Sequence, residues 1–205
     1  LAGHFGNDLL DGGGGMDTAS YNEEYAPGRT RVNSIVSPRT EGVSVSLLAG
    51  IGGTSGGGET DTLIGIENVI GTHFDDFIVG DNNANVLSGL GGADLIRGLG
   101  GGDTLLGGDG HDVIVATVDD GNDMIDGGAG IDTYDLSGTS ADARVNLHYT
   151  FQQGTPAGTS ISSEAGTDGL SGIEDVIGSS GDDTIVGGDA ANVLSGGVGD
   201  DFLMG

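Results

Sequence analysis

The chain has 205 residues, 45 of them glycine, with 4% aromatic residues, no tryptophan, no cysteine and a formal net charge of −27. Five arginines and no lysine argue against a nucleic-acid or anionic-membrane surface. The lack of cysteine removes disulfides and thiolate metal sites, and no stretch is long and apolar enough to span a bilayer. Low apolar bulk with a large like charge is the composition of a disordered chain, so a fold requires something that neutralises that charge.

In chain order, residues 1–20 read as the end of a repeated stretch. Gly3-His4-Phe5-Gly6-Asn7-Asp8-Leu9-Leu10-Asp11 follows a nine-residue phrase, Gly-Gly-x-Gly-x-Asp-x-apolar-x, and the phrase of Asp17 comes directly after it. The chain starts inside a repeat and stops on the first glycine of another, so it reads as a piece of a longer protein. Residues 21–59 lose the period and form an insertion. Within it Val43-Ser44-Val45-Ser46-Leu47 alternates and predicts a strand.

Residues 60–135 carry the main run of repeats. Gly89-Leu90-Gly91-Gly92-Ala93-Asp94-Leu95-Ile96-Arg97 is followed without a gap by the phrases of Asp103 and Asp112. After a two-residue slip at Ala116-Thr117, the phrases of Asp123 and Asp132 continue the run. A second insertion covers 136–166, with Arg144-Val145-Asn146-Leu147-His148 as its expected strand. Pro27, Pro38 and Pro156, every proline of the chain, lie in the insertions. Each insertion strand is expected to join the repeat structure while the remainder loops out. Residues 167–205 are a second repeat copy. Thr167-Asp168-Gly169-Leu170 through Asn192-Val193-Leu194-Ser195-Gly196 parallels Thr60-Asp61-Thr62-Leu63 through Asn85-Val86-Leu87-Ser88-Gly89, at an offset of 107 residues (Thr60 to Thr167).

The residue types of the phrase form a chemical unit. Its glycines permit a sharp turn with positive φ and bare backbone carbonyls, hard oxygen ligands of the kind Ca²⁺ prefers. The aspartate adds a charged oxygen, always in the same phase. The x-apolar-x tail is a short strand with one side chain pointing inward: Leu87, Ile96, Leu105, Ile114 and Ile125. Two phrases make one coil of about eighteen residues, so loops on the same edge come from alternate phrases. The chain therefore reads as disordered without a cation and folded with one.

These phrases resemble the RTX (repeats-in-toxin, hemolysin-type) calcium-binding family. The resemblance covers most of the chain outside the insertions. It implies an all-β fold, a right-handed parallel β-roll or β-helix solenoid with Ca²⁺ in the turns. It also implies a ligand set in which one loop gives the carbonyls of its second and fourth positions and its aspartate. The loop two phrases later gives the carbonyls of its first and third positions and its own aspartate. Carried over, one site is Leu90, Gly92 and Asp94 with Gly107, Asp109 and Asp112. A second is Gly108, Gly110 and Asp112 with Gly127, Ala129 and Asp132. A third, Leu99, Gly101 and Asp103 with Val118, Asp120 and Asp123, spans the slip. Thr72, Phe74 and Asp76 pair with Gly89, Gly91 and Asp94, and Ser179, Gly181 and Asp183 pair with Gly196, Val198 and Asp201. Sites that would use Asn85 or Asn192 are expected to be weak or empty. Asp8 and Asp17 are expected to have lost their partner loops.

About five or six Ca²⁺ ions are expected, and that charge would offset close to half of the self-repulsion. The resemblance further implies export through a type I secretion apparatus and a secreted, extracellular or cell-surface location. Calcium is the expected partner, with self-association or neighbouring repeats of the same chain as further contacts. The segment is not expected to be an enzyme. Gly53-Thr54-Ser55-Gly56-Gly57 fits G-x-S-x-G, but a nucleophile elbow needs a strand-turn-helix that the sequence does not predict. His4, His73, His111 and His148 are scattered and form no zinc motif. Glu67 and Glu174 hold equal places in the two copies, which suggests a structural role. Three parents stay open: an adhesin, surface-layer or matrix protein; an exported protease, lipase or alginate epimerase of which this is the non-catalytic part; and a pore-forming toxin.

Overall fold

The computed structural model describes residues 1–2, 6–22, 40–148 and 158–205. Pro27, Pro38, Pro156 and His4 therefore lie outside the described residues. The described chain is all β, with no helix. Its first strands are β1 (Leu9–Asp11), β2 (Thr18–Ser20), β3 (Ser44–Ser46), β4 (Ile51–Gly52), β5 (Asp61–Ile64) and β6 (Asn68–Ile70). The regular run follows: β7 (Phe77–Val79), β8 (Val86–Gly91), β9 (Leu95–Arg97), β10 (Thr104–Gly110), β11 (Val113–Val115), β12 (Met124–Gly130) and β13 (Thr133–Asp135). The last are β14 (Ala143–Asn146), β15 (Thr159–Ser162), β16 (Gly166–Ser171), β17 (Asp175–Ile177), β18 (Thr184–Val186), β19 (Leu194–Ser195) and β20 (Phe202–Met204).

The strands form two ten-stranded sheets. The first is ordered β1-β5-β4-β3-β7-β9-β11-β13-β17-β19, and the second β2-β6-β8-β10-β12-β16-β15-β14-β18-β20. Through the regular run the chain passes from sheet to sheet at every phrase, and each strand pairs in parallel with the strand two phrases on. Leu87 lies beside Leu105, 18 residues later, and Leu105 beside Ile125, 20 later. The extra two residues of the Ala116-Thr117 slip are absorbed without loss of register. One side chain per strand faces the space between the sheets: Leu87, Ile96, Leu105, Ile114, Ile125 and Ile185 are each at most 2% exposed. The core is thus a narrow file of mostly aliphatic residues, with Tyr21 and Tyr134 among them, in keeping with how little apolar bulk the chain contains.

The insertions join the sheets more fully than expected. Val45 and Val145 are buried on β3 and β14, but Ile51–Gly52 and Thr159–Ser162 also enter, as antiparallel strands. In the first insertion β3 runs parallel to β7, the chain turns back through β4, and β5 lands parallel to β1. The second makes the same three-strand excursion: β14 beside β18, β15 antiparallel, β16 beside β12. The expectation that everything but one strand loops out is therefore corrected. A single parallel strand would have left an open ladder edge, and the returning strand pairs it. The Gly53–Gly57 stretch follows β4 as a turn bridged to Val43, with no helix after it.

Corresponding elements of the two copies lie in opposite sheets. β5, β7 and β9 belong to the first sheet, and their counterparts β16, β18 and β20 to the second. The 107-residue step is therefore an odd number of half-coils.

The burial pattern separates neighbouring residues of one strand. Ile125→Ala should cost about 3 kcal/mol, and Met124→Ala, on the exposed face of the same strand, less than about 0.5 kcal/mol. Urea unfolding in saturating calcium measures both, and equal losses would contradict the assigned register.

Candidate metal centre

The loops that join the sheets stack along two edges. The near edge carries the chain from the second sheet to the first, and the far edge carries it back. On the near edge the backbone N–H of Asp76 donates to Asp94 Oδ1, that of Asp94 to Asp112 Oδ1, and that of Asp112 to Asp132 Oδ1, each at 2.8 Å. On the far edge Asn85 donates to Asp103 Oδ1 and Asp103 to Asp123 Oδ1, both at 2.8 Å, and Asp123 to Asp168 Oδ1 at 3.0 Å. Asp183 donates to Asp201 Oδ1 at 2.9 Å. Asp94, Asp103, Asp112, Asp123, Asp132, Asp168 and Asp201 thus each use one oxygen to hold the preceding coil.

The other oxygen is different. Oδ2 of Asp61, Asp94, Asp103, Asp112, Asp123 and Asp132 is buried and meets no protein donor. A buried acceptor left unmade costs about 1–3 kcal/mol, more if charged, and here the cost recurs from coil to coil. The first-place glycine creates the room: a Cβ at Gly89 or Gly107 would overlap the Oδ2 of Asp94 or Asp112.

Carbonyls complete the cradle. The carbonyls of Leu90 and Gly92 face the next loop at Gly108 and Gly110, while those of Gly107 and Asp109 face back toward Gly89 and Gly91. Gly108 and Gly110 turn their carbonyls in the same way toward Gly128 and Gly130, and Gly127 faces back to Gly107, with Asp109 in register with Ala129. Phe74 faces Gly92, and the Thr72 carbonyl accepts the Gly91 N–H. Ser179 and Gly181 face Gly197 and Gly199, Gly196 faces back to Gly178, and Val198 donates to the Ser179 carbonyl at 3.3 Å. The residues of the four groups outside the slip thus lie on adjacent stacked loops.

The slipped loop departs in detail. Gly101 faces Gly121, but the carbonyl set against Gly100 is that of Asp119 rather than Asp120 or Val118. Leu99 and Asp119, each in the second place of its phrase, adopt positive φ, 73° and 61°, as Leu90 does at 80°. The Asp120 side chain bends into its own loop, where Thr117 donates from N at 2.9 Å and from Oγ1 at 2.8 Å.

Asp8 and Asp17 keep neighbours, contrary to expectation. Asp8 donates from its N–H to Asp61 Oδ1 at 2.9 Å and Asp17 to Glu67 Oε2 at 2.7 Å, because the insertion excursion returns the chain to the strand it left. Asp61, Glu67, Asp168 and Glu174 were missed as rungs of these ladders, although their equal places in the two copies were the available signal. Asp168 has its second oxygen closed by the buried Tyr134 hydroxyl at 2.5 Å. The described histidines stand apart. His111 Nδ1 accepts the Ile131 N–H at 2.9 Å, His148 Nε2 lies 3.1 Å from Asp189, and His73 rests against Gly91. Among the described residues no three His, Asp or Glu side chains converge to hold a metal. A cation here must draw on backbone carbonyls, and the loop stacks supply them.

Burial, then the like charges of Asp76, Asp112 and Asp75, push the Asp94 carboxyl up to about 8, against the Asp76 N–H that lowers it. Burial likewise lifts Asp103 to about 6, Asp120 to about 7 and Asp168 to about 6. It also raises Asp112, Asp123 and Asp132. Carboxyl groups raised in this way, among aligned carbonyls, suit a hard divalent cation.

Two outcomes follow from this geometry. Asp112 borders two cradles, so Asp112→Ala should lose calcium from both, read as fewer bound ions by calorimetry; no loss would contradict the register. The raised carboxyls hold protons when folded that the unfolded chain releases. In chelator their contribution to stability is therefore greatest at low pH and is lost as pH rises through about 6 for Asp103 to about 8 for Asp94. Far-ultraviolet circular dichroism in chelator from pH 5 to pH 9 measures this: any residual β signal should fall as pH rises through that window, and a β signal that grows with pH would contradict it.

Comparison with known proteins places these loops. The profile of the RTX calcium-binding nonapeptide repeat (4 copies) matches residues 1–19, 61–96, 70–105, 79–114, 98–134 and 168–203, more than half of the chain. A comparison with curated proteins found no match. The matched spans coincide with the stacked loops and stop at the antiparallel excursions, and on that coverage the chain belongs to the RTX calcium-binding repeat family.

Proposed function

We propose that this segment is a calcium-triggered folding and stability module of a secreted bacterial protein. The observation that carries the reading is the file of buried carboxylate oxygens without a protein donor, at Asp61, Asp94, Asp103, Asp112, Asp123 and Asp132, with those of Asp94, Asp112 and Asp132 set against the same glycine as a carbonyl of the next loop. The ligands are the five groups named above: the Asp76–Asp94, Asp94–Asp112, Asp112–Asp132, Asp103–Asp123 and Asp183–Asp201 gaps with their carbonyls. Each filled gap adds two positive charges where like charges crowd, and stabilises the fold by RT ln(1 + [L]/Kd), about 2.7 kcal/mol at a hundredfold excess over Kd. RTX repeats are structural calcium-binding units and not catalytic themselves, so any activity belongs to the rest of the parent.

The chemistry of the sites also fits export before folding. Extracellular calcium modules bind at about 10⁻⁴–10⁻³ M, far above cytosolic calcium, so the chain stays unfolded inside the cell and through a type I apparatus, and folds outside. Among possible parents, the second copy at 107 residues favours an adhesin, surface-layer or matrix protein over an exported enzyme or toxin. Among the described residues no helix is long and apolar enough to cross a membrane.

Calcium removal should abolish the β signal in far-ultraviolet circular dichroism and restoring calcium should return it. A folded, unchanged spectrum in excess chelator would sink the proposal.

A further inference from the structure

The edge ladders are interrupted at matched places. In the first copy the antiparallel excursion breaks the near edge between Asp61 and Asp76. At the same level the far edge carries Glu67 and Asn85. In the second copy the excursion breaks the far edge between Asp168 and Asp183, and the near edge at that level carries Glu174 and Asn192. A Glu–Asn pair therefore sits directly across the roll from each insertion.

These pairs are bonded in a way the aspartate rungs are not. Asn85 Nδ2 donates across the coil gap to the Glu67 carbonyl at 2.8 Å, and Asn192 Nδ2 to the Glu174 carbonyl at 2.6 Å. The other amide atom is also engaged, since Asn85 Oδ1 accepts the Asp81 N–H at 2.8 Å. On the preceding side Glu67 Oε2 accepts from Asp17 at 2.7 Å and Glu174 Oε2 from Asp132 at 2.9 Å. None of these side-chain atoms is among the buried oxygens without a donor.

A hard cation needs oxygens, and here an amide N–H₂ points at the carbonyl that faces the gap. Its hydrogens take that carbonyl and repel a positive ion. We propose that Glu67–Asn85 and Glu174–Asn192 are calcium-free clasps, direct N–H···O rungs that replace an ion across from each insertion and divide the calcium ladders into separate runs. The inference rests on the calcium reading of the aspartate rungs and adds where ions are excluded. The placement has a physical reason. At each insertion one sheet gains two strands that the other lacks, so the roll must accommodate a mismatch there. A neutral clasp adjusts in length and angle more readily than an ion held by six to eight oxygens.

One atom decides the matter. Asn85→Asp puts an oxygen where Nδ2 lies, next to the Glu67 carbonyl and within reach of Asp81 Oδ1, 3.3 Å from the present amide nitrogen. Calcium bound per full chain is counted by equilibrium dialysis in saturating calcium. The Asn85→Asp chain should hold one ion more than wild type, and Asn85→Ala the same number as wild type. An unchanged count in Asn85→Asp, or an ion lost in Asn85→Ala, would overturn the clasp. Should Asn85→Asp fail to fold, Asn85→Ala alone decides, since loss of an ion shows that the wild-type rung was occupied. Wild-type chain that binds no calcium would overturn the calcium reading itself.

Discussion

The fold depends on a carboxylate that is only half satisfied. Asp94, Asp103, Asp112, Asp123 and Asp132 each spend Oδ1 on the backbone N–H of the coil before, which fixes the distance between loops and the register of both sheets; at Asp76 and Asp183 the second oxygen is also taken, by the N–H of Thr72 and Ser179. Oδ2 of the first five is left buried without a donor, and at Asp94, Asp112 and Asp132 it lies against the same glycine as a carbonyl of the next loop. Such an arrangement is unfavourable for the protein's own atoms, since acceptor faces acceptor and charges repeat along the edge. A divalent cation reverses every one of those terms. The apolar file between the sheets is one residue wide, so burial alone offers little against the entropy of a glycine-rich chain. On the proposed calcium reading, folding and ion binding form a single event.

The same logic explains the insertions. A solenoid can admit extra chain only where its ladders can be interrupted and resumed. Both insertions do this with an antiparallel excursion of two additional strands, which returns the backbone to its starting neighbour and leaves no open ladder edge. Two strands at about 4.8 Å each lengthen one sheet by about 10 Å relative to the other. Because the 107-residue step is an odd number of half-coils, the second excursion falls in the opposite sheet. The two sheets end with equal numbers of strands, so the second mismatch offsets the first. Successive modules of this kind would present their insertions on alternating faces of the roll.

Much of this was legible in the sequence, and the limits have physical causes. The nine-residue period exposed the inward file of Leu87, Ile96, Leu105, Ile114 and Ile125, because one apolar position per short strand leaves no ambiguity about which side is buried. The phase of Asp94, Asp112 and Asp132 identified loops that do stack. Ile51–Gly52 escaped notice because a two-residue strand containing glycine has no alternation to read. The rejoining of Asp8 to Asp61 and Asp17 to Glu67 depends on where the insertion returns the chain, which local pattern does not encode. Asp168 looks like any other phased aspartate, and only the fold brings Tyr134 onto its second oxygen. The change of sheet between copies was hidden for a related reason: insertion residues lengthen the sequence step without adding full coils.

The most direct test of the central claim is a crystal structure of the chain grown in calcium, with anomalous scattering used to locate the ions. The account predicts calcium in the gaps between Asp94 and Asp112 and between Asp112 and Asp132, each ion held by both carboxylates and the facing carbonyls. A folded roll in saturating calcium with no ion in those gaps would contradict it.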